Sequence, residues 1–423
     1  MVNHARMKGP GKTKVERTPW HLKILYVSTF VLRVAFGALL LLISAYVTGD
    51  EGTRLLNVAI IAVPYPLAEM LTANYFGMRS DRVGRKKIII FGTTLAAIIV
   101  ALYAVSNNIW YLATLHGIHG VAAAATVAPA IAMIADHSVK CDRGRQMGWF
   151  DYATLLGYIV GAVVGGILVD MVNISIGFLL VAGMLTVSAI LLFVLVKNEP
   201  AMVCSKRQGF AELKAVFKNR EVRLMFPIWL IVATLLGIAL TYLPIILMSE
   251  DVKGITIGIM FAGAGFVLGL LQPFWGKVSD RIGRIPVMAY GVFSMLGVVL
   301  MVLFFPDYLY EEIDGAIKFQ LAGLIPLGIM GLGVGAFVPA ALALMADSSE
   351  SCSYGATMGL YSFALGFGAF IAESIGLAII LLSGKNDAPG WLLYFAVVLV
   401  VLAVVMMFVF FLYKRLVKMI IKG

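Results

Sequence analysis

The chain has 423 residues, of which 61% are hydrophobic and only 13% are Asp, Glu, Lys or Arg. A soluble domain carries about 25% charged residues, so this composition excludes an ordinary soluble fold and favours a chain that lies in a lipid bilayer. The net charge of +10 suggests nucleic acid as a partner, but the basic residues are distributed as in a membrane protein.

Apolar runs of membrane-spanning length recur along the whole chain. A spanning helix needs about 20 consecutive apolar residues, and these runs are too long and continuous for the alternating strands of a β-barrel. The pattern predicts an all-α integral membrane protein with twelve transmembrane helices. The runs are 22–46, 54–76, 87–106, 109–135, 148–169, 175–196, 223–247, 255–276, 286–305, 319–346, 356–382 and 391–413.

Lys and Arg residues are concentrated in alternate loops. When the N-terminus is placed inside, 28 of the 33 Lys and Arg residues fall in inside segments and 4 in outside loops. This is the positive-inside pattern of membrane proteins. It predicts a multi-pass protein of the cytoplasmic (plasma) membrane, with N- and C-termini in the cytoplasm and basic segments against acidic lipid, and it argues against binding of nucleic acid.

The three cysteines, Cys141, Cys204 and Cys352, all map to predicted cytoplasmic loops. A reducing compartment explains free thiols there, and their spacing matches no metal site. We therefore expect neither a disulfide nor a bound metal.

Polar stretches divide the chain into two six-helix halves joined by a linker. Within the linker, Phe210, Leu213, Val216 and Phe217 recur at helical spacing. This predicts an amphipathic helix on the inner leaflet, with a partner-docking helix as the alternative. The predicted regions are a basic cytoplasmic tail (1–21), the N-terminal half (22–196), the linker (197–222), the C-terminal half (223–413) and a cytoplasmic tail (414–423).

The two halves repeat one another. The segment Gly77-Met-Arg-Ser-Asp81-Arg82-Val-Gly84-Arg85 follows the second run, and Gly276-Lys-Val-Ser-Asp280-Arg281-Ile-Gly283-Arg284 follows the eighth, 199 residues later. Met133-Ile-Ala-Asp136 and Leu344-Met-Ala-Asp347 end the fourth and tenth runs at an offset of 211. Internal repeats in a twelve-helix chain are typical of alternating-access transporters, which bind substrate near the midplane between the repeats.

These two loops are the signature by which the chain resembles the major facilitator superfamily, and the resemblance extends over essentially its full length. The resemblance implies two pseudo-symmetric six-helix halves around a central cavity, and secondary active transport of a small molecule. By pseudo-symmetry, Asp81 should meet the start of the eleventh helix near residues 353–355, and Asp280 the start of the fifth near Arg143–Arg145. The implied gating residues are Gly77, Asp81, Arg82, Gly84 and Arg85 in the first loop and Gly276, Asp280, Arg281, Gly283 and Arg284 in the second.

The fifth run contains a glycine pattern that is similar to the family's antiporter motif, which is associated with proton-coupled exporters. One position departs, because Ala162 stands where the family has a proline. Small residues also let helices approach closely, so helix packing alone is the alternative interpretation. The glycines are Gly148, Gly157, Gly161, Gly165 and Gly166.

Four ionisable residues lie within the apolar runs: Arg33, Glu69 and Glu373 deep inside, and Asp151 near the inner rim. A charge at the centre of a spanning helix costs about 2.5–3.5 kcal/mol, so each must be paired, protonated or in contact with water. We expect Arg33 and Glu69 to form an ion pair, because their depths differ by only ~5 Å. Glu373, flanked by small and apolar residues, is the candidate proton carrier, and a glutamic acid that only donates a hydrogen bond is the alternative.

Two histidines lie in the fourth run. The family usually carries an arginine four residues before a glycine in this helix, and this chain has His116 before Gly120, with His119 adjacent. Histidine titrates near neutral pH, which favours a role in the proton or substrate pathway. A neutral, hydrogen-bonded histidine is the alternative.

These features favour proton-coupled export of a lipophilic or cationic compound. The alternatives are proton-coupled uptake of an organic anion held by Arg33, and a transporter-like sensor that binds without carrying. The sequence shows no nucleophile–base or metal constellation and no nucleotide-binding signature, so we expect no enzyme activity, no cofactor and an ion gradient as the energy source. The expected partners are a small-molecule substrate, protons and membrane lipid, and the expected state is a monomer.

Overall fold

The computed structural model describes most of both helical halves. Nearly all of the two predicted tails, most of the linker, Cys204 and Cys352 lie outside the described residues. Of the four apolar linker residues, Val216 and Phe217 are described, and both pack against the hydrophobic core. The described residues are 20–47, 51–196, 214, 216–249, 254–305, 310–313, 316–348, 354–383, 395 and 397–408.

The structure is a helical bundle that confirms the predicted fold of two six-helix halves. Ten helical segments among the described residues are long and apolar enough to cross a membrane, and the divided second span and the short α15 complete the twelve. The first half contains α1 (Trp20–Tyr46), α2 (Glu51–Ala62), α3 (Pro64–Val83), α4 (Arg85–Tyr103), α5 (Ile109–Asp136), α6 (Arg143–Met171) and α7 (Ile174–Leu195). The second half contains α8 (Arg220–Ser249), α9 (Gly254–Gly269), α10 (Gln272–Ile282), α11 (Arg284–Phe304), α12 (Leu321–Val334), α13 (Phe337–Asp347), α14 (Tyr354–Ser383) and α15 (Val397–Phe408).

Two of the spans are divided where a proline begins a new helix. Pro64 starts α3 directly after α2, and Pro273 lies in the first turn of α10, after α9. Proline lacks an N–H group and is tolerated in the first turn of a helix, where that N–H would have no partner within the helix. The second and eighth spans, which carry the repeated loops at their ends, are therefore built in the same way.

A short antiparallel hairpin between α11 and α12 adds a β element to the helical fold. Its strands are β1 (Tyr310–Ile313) and β2 (Ala316–Phe319), which pair Tyr310 with Phe319 and Ile313 with Ala316. The sequence analysis did not predict these strands, because four-residue strands are too short to give a periodic hydropathy signal.

The two halves pack together through two pairs of spans. The fifth span (α6) contacts the eighth (α9 and α10), and the second (α3) contacts the eleventh (α14). Glycine allows the close approach: a methyl group at Gly148 would lie 2.6 Å from the carbonyl oxygen of Gln272, and one at Gly366 would lie 2.8 Å from the amide nitrogen of Met70. Side chains between these spans are therefore enclosed by both halves.

The halves are in contact at both ends of the bundle. We name the end that carries the repeated loops, 77–85 and 276–284, the motif end, and the other the opposite end. At the opposite end, the Asp170 carboxylate at the end of α6 accepts a hydrogen bond of 3.0 Å from the N–H of Ile255 at the start of α9. The structure therefore represents a state in which the fifth and eighth spans meet at both ends.

Two apolar clusters fill the interior, one toward each end. Along α14, Tyr354, Tyr361 and Ala364 belong to the cluster toward the motif end, whereas Ile380 belongs to the cluster toward the opposite end. Glu373 lies between Ala364 and Ile380 on the same helix. Glu373 is therefore enclosed between the two apolar clusters.

Candidate functional site

The first repeated loop contacts the second half through Asp81. Its carboxylate accepts hydrogen bonds from the N–H groups of Gly355 at 3.0 Å and Ala356 at 3.2 Å, at the start of α14. This is the contact predicted by pseudo-symmetry, and a carboxylate is favoured there by the partial positive charge of a helix N-terminus. Asp81 lies beyond the apolar run 54–76, and burial raises the pKa of this carboxyl, while the Arg85 guanidinium and the Gly355 N–H counteract that effect.

The second repeated loop makes the equivalent contact in the other direction. The Asp280 carboxylate accepts hydrogen bonds from the N–H groups of Gly144 at 3.0 Å and Arg145 at 3.1 Å, at the start of α6. It also pairs with Arg284, four residues along the chain. Each half thus caps a helix of the other half with a carboxylate.

Arginines extend these two contacts into a network at the motif end. Arg85 pairs with Asp136 at 3.0 Å, and Arg284 pairs with Asp347 at 3.0 Å. Arg143, in the first half, also reaches Asp347 across the interface at 2.8 Å. The two aspartates that end the fourth and tenth spans therefore hold the arginines that end the repeated loops.

Glycines of the repeated loops serve two structural purposes. Gly77 and Gly276 lie against the backbones of the capped helices, where a methyl group would collide with a carbonyl oxygen. Gly84 and Gly283 have φ values of 102° and 101°, which L side chains rarely adopt. They form the sharp turns between α3 and α4 and between α10 and α11.

Of the ten implied gating residues, Arg82 and Arg281 have exposed side chains. Neither contributes to the buried contacts between the halves described above. Their position on the surface of the motif end fits contact with water or lipid headgroups.

Four ionisable side chains are buried inside the bundle. Arg33, Glu69, Asp151 and Glu373 come from α1, α3, α6 and α14, and they are only 9%, 8%, 7% and 7% exposed. Arg33 interacts electrostatically with Glu69 and Asp151, and Glu373 interacts with Glu69. We call these four residues the charge cluster.

The predicted ion pair between Arg33 and Glu69 is wrong, because the described residues form no such pair. Arg33 instead donates a hydrogen bond from Nη1 to the Tyr158 hydroxyl at 3.2 Å. Its guanidinium carbon also lies 5.4 Å and 5.5 Å from the ring centroids of Phe36 and Tyr158, within the range of a cation–π contact. The guanidinium is thus held by aromatic groups of α1 and α6, and Glu69 stays outside ion-pair distance.

Glu373 is held on one side only. Its Oε1 accepts a hydrogen bond of 3.1 Å from the Thr241 hydroxyl, while its Oε2 has no partner among the described residues. The Tyr242 hydroxyl donates to the backbone carbonyl of Glu373 at 2.7 Å. Oδ2 of Asp151 and Nε of Arg33 also lack partners in the described part of the chain.

The charge cluster contains three carboxyl groups and one guanidinium. If all four were ionised, one positive charge would face three negative charges in a buried site, which is strongly unfavourable. A cavity of about 20 Å³ beside Arg33 is lined by Ser28, whose hydroxyl also lacks a described partner, and such a volume holds about one water molecule. The cluster therefore has excess negative charge when its carboxyl groups are ionised, and bound protons or a bound cation can neutralise it.

The glycines of the fifth span mainly face the first span. Methyl groups at Gly157 and Gly165 would lie 2.5 Å from Cβ of Arg33 and 2.7 Å from Cα of Ala38. Gly161 lies against the backbone of α1 in the same way, Gly166 is buried in α6, and Gly148 faces α10. The pattern thus brings α1 close to α6, and this approach places Arg33 against Tyr158.

The two histidines lie apart from the charge cluster, among aromatic rings. His116 Nδ1 and the Tyr103 hydroxyl are 2.8 Å apart and share a hydrogen bond. His119 is fully buried and stacks on Phe36, with ring centroids 4.9 Å apart. Neither ring nitrogen of His119 has a partner among the described residues.

Several residues of the site carried no sequence signal that we identified. Tyr158 accepts the hydrogen bond of Arg33, and Tyr361 is buried on α14, the helix that carries Glu373. Tyrosines are ordinary in apolar runs, so spacing alone did not single them out. Gly157 was the one indication near Tyr158, because a glycine inside a helix often permits close approach of a neighbour.

Comparison with known proteins agrees with the geometry. An uncharacterized MFS-type transporter of Methanocaldococcus jannaschii is 24% identical over 372 residues, which cover 86% of this chain and 92% of that protein. The multidrug resistance protein MdtG of Serratia proteamaculans is 23% identical, over 67% of this chain and 70% of MdtG. The quinolone resistance protein NorA of Staphylococcus aureus is 22% identical, over 67% of this chain and 74% of NorA.

Solved structures of similar fold cover nearly the whole chain. The human organic anion transporter MFSD10 (TETRAN) superposes with a TM-score of 0.73 at 14% identity, over 92% of this chain and 100% of that one. The nucleoside transporter NupG superposes with a TM-score of 0.65 at 14% identity, over 92% and 99%. The family model of the Major Facilitator Superfamily matches residues 25–311 and 231–419. With its two six-helix halves and its repeated loop at 77–85 and 276–284, the chain belongs to the Major Facilitator Superfamily of membrane transporters.

Proposed function

We propose that this transporter is a secondary active exporter that exchanges protons for a lipophilic cationic compound by alternating access. The observation that carries the proposal is the charge count of the buried cluster, three carboxyl groups against one guanidinium. The relatives named for multidrug and quinolone resistance support export as the direction. The glycine pattern of the fifth span points the same way.

The exchange follows from competition for the same carboxylates. Arg33 compensates one negative charge of the cluster, and the others need protons or a cation. A cation that arrives from one side displaces protons, and protons that arrive from the other side displace the cation. In this scheme Glu373 is the principal proton carrier, because its Oε2 has no partner among the described residues and it lies on α14, a helix that the gate at the motif end holds. Glu69 and Asp151 complete the site.

The two repeated loops act as the gate of the motif end. Asp81 and Asp280 hold α14 and α6 closed through backbone N–H groups. Opening of the motif end has to break both contacts. While the motif end is open, a closed opposite end isolates the site from the other side of the membrane. Because a ligand that binds one state better shifts the population toward it, substrate and protons each favour the state from which they enter.

We place the motif end at the cytoplasmic face of the plasma membrane, with both chain ends on that side. The support is the distribution of 28 basic residues in inside segments against 4 in outside loops. Because one chain contains both halves and the whole charge cluster, we propose a monomer as the working unit.

Transport into proteoliposomes tests the proposal. Purified protein is reconstituted with an acidic lumen, the membrane potential is held at zero with valinomycin and potassium, and uptake of tetraphenylphosphonium is followed with a selective electrode. We expect protein-dependent accumulation in the acidic lumen, coupled to alkalinisation reported by a pH dye. Tetraphenylborate, of the same shape and opposite charge, is the matched control. Absence of protein-dependent cation accumulation would contradict the proposal.

Proton-coupled uptake of an organic anion is the second candidate function. The observation that favours it is the Nε of Arg33, which has no partner in the described part of the chain. This N–H group can donate a hydrogen bond to a substrate carboxylate. Symport moves the anion together with protons, so the anion accumulates in the alkaline compartment. The same liposomes, prepared with an alkaline lumen, distinguish the two functions. Symport should accumulate an organic anion in the alkaline lumen, whereas exchange should accumulate the cation only in an acidic lumen.

A further inference from the structure

The histidine pair of α5 lies nearer the opposite end than Glu69 of the charge cluster does. His116 and His119 are 7 and 10 residues from Ile109, where α5 begins at the opposite end. At about 1.5 Å per residue this places them roughly 10 and 15 Å along the helix. Tyr65 packs against both imidazoles, with ring centroids at 5.0 and 5.5 Å. Glu69 of the charge cluster follows Tyr65 by one helical turn on α3.

His119 is in an unusual environment for a polar side chain. Its ring is fully buried, and neither nitrogen has a hydrogen-bond partner within the described residues. Its enclosure is made of rings: Phe36 of α1 stacked on one face, and Tyr65 of α3 and Tyr103 of α4 at its edges. Burial of an unpartnered polar group is unfavourable, so packing alone gives no reason for a histidine here.

The titratable groups that face His119 come from three helices. Among the described residues they are Tyr65, Tyr103 and, on its own helix, His116, which also interacts with it electrostatically. Arg33 also contacts the Phe36 ring, with its guanidinium carbon 5.4 Å from the ring centroid. Aromatic faces attract cations, so this enclosure tolerates an imidazolium when water reaches it.

We propose that His116 and His119 form a second proton-binding site, which takes up a proton from the opposite end and transfers it to Glu69 when the transporter closes. This inference rests on the proposed proton-coupled export. In the open state, a ring nitrogen of the hydrated pair binds a proton and becomes N–H⁺. On closure that N–H bond breaks, an O–H bond forms on the Glu69 carboxylate, and the imidazole returns to its neutral form.

Burial gives this transfer its direction. Enclosure away from water disfavours the charged form of both partners, so it drives a proton off an imidazolium and onto a carboxylate. The products, neutral imidazole and neutral carboxylic acid, fit the closed state that the structure shows, in which both His119 and Glu69 are buried. Closure itself thereby loads the charge cluster with a proton that has come from the opposite end.

Two variants of His119 test the transfer. His119→Phe keeps a ring that can stack on Phe36, and His119→Gln keeps polarity, but neither can titrate. His137→Gln, at the motif end of the same helix, is the matched control. Tetraphenylphosphonium transport is measured with the pH fixed at the motif end and varied at the opposite end.

We expect the wild-type rate to change by about tenfold per pH unit where binding of one proton limits it. Both His119 variants should lose this dependence, while His137→Gln should keep it. Equilibrium exchange of tetraphenylphosphonium, which needs no net proton movement, should persist in all variants. Wild-type pH dependence in His119→Phe would overturn the inference, as would an equal loss of equilibrium exchange, which would indicate a structural role.

A proton count separates this inference from the proposed function. Lightly buffered protein without substrate is titrated from about pH 8 to pH 5, the range in which histidine changes charge. Wild type should bind one more proton than His119→Phe, whatever the substrate or direction of transport proves to be. An identical titration of the two proteins would refute a proton site at His119.

Discussion

The paired carboxylate caps at the motif end predict a gate whose two halves contribute similarly. Asp81→Asn removes the charge that faces the α14 N-terminus but keeps one acceptor oxygen for the N–H groups at 3.0 and 3.2 Å. Hydrogen bonds to a charged group contribute about 1.5–3 kcal/mol, and the helix dipole adds up to ~2 kcal/mol in partly buried geometry. Because asparagine keeps part of the first contribution, we expect the closed motif end to lose about 1–2 kcal/mol, which is a factor of roughly 5–30 in its population.

Spin labels on exposed sites of opposite halves measure this change. One pair, at Val139 and Ile282, reports on the motif end, and a second pair, at Val105 and Leu321, reports on the opposite end. In Asp81→Asn the motif-end distance distribution should shift to longer values and the other to shorter ones. Asp280→Asn should behave alike, because its carboxylate makes the same contacts with α6.

The double variant and a nearby control make the result decisive. Because the two caps hold different helices, the effects of Asp81→Asn and Asp280→Asn should add to about 2–4 kcal/mol. Asp142→Asn is the control, since Asp142 pairs with Arg145 within its own segment at 2.7 Å and does not bridge the halves. Unchanged distances at both ends in the double variant would refute the gate.

Three further predictions follow from single contacts. Glu373→Gln should abolish gradient-driven transport while preserving substrate binding, because glutamine still accepts from Thr241 but cannot titrate; normal proton-coupled transport in this variant would eliminate Glu373 as the carrier. Gly148→Ala should destabilise the protein by about 1–3 kcal/mol, since its methyl group would lie 2.6 Å from the Gln272 carbonyl oxygen; an unchanged melting temperature would contradict that packing. Cys141, which is exposed, should react with an impermeant maleimide in inside-out vesicles but not in intact cells, and the reverse pattern would invert the topology.

The spans and the contacts of Asp81 and Asp280 were accessible from sequence because both depend on one-dimensional patterns. A bilayer demands long apolar runs, so hydropathy located the helices. The internal repeat then related the halves in space, so the offset between the two loops predicted what Asp81 and Asp280 contact. No information about helix rotation was needed, because the partners are backbone N–H groups, which every helix presents at its N-terminus.

The interior of the site could not be predicted in the same way. Hydropathy shows that a helix spans the bilayer, but not which of its faces meets which neighbour. The ion pair of Arg33 with Glu69 was therefore predicted from depth alone. In the structure Arg33 instead donates a hydrogen bond to Tyr158, on a helix more than 100 residues away in the sequence. The enclosure of His119 by Phe36 and Tyr65 has the same origin, since it depends on the rotation of three helices that no periodicity records.

The charge cluster also links the sign of the substrate to the direction of coupling. With one guanidinium and three carboxyl groups, the site is nearest neutrality when two carboxyl groups are protonated, or when a monovalent cation replaces one of those two protons. A cationic substrate and protons therefore exclude one another, and their movements are opposed. An anion, in contrast, is stabilised only when the carboxyl groups are protonated and Arg33 remains free, so it has to travel with protons. Substrate charge and coupling mode are thus a single property of this site.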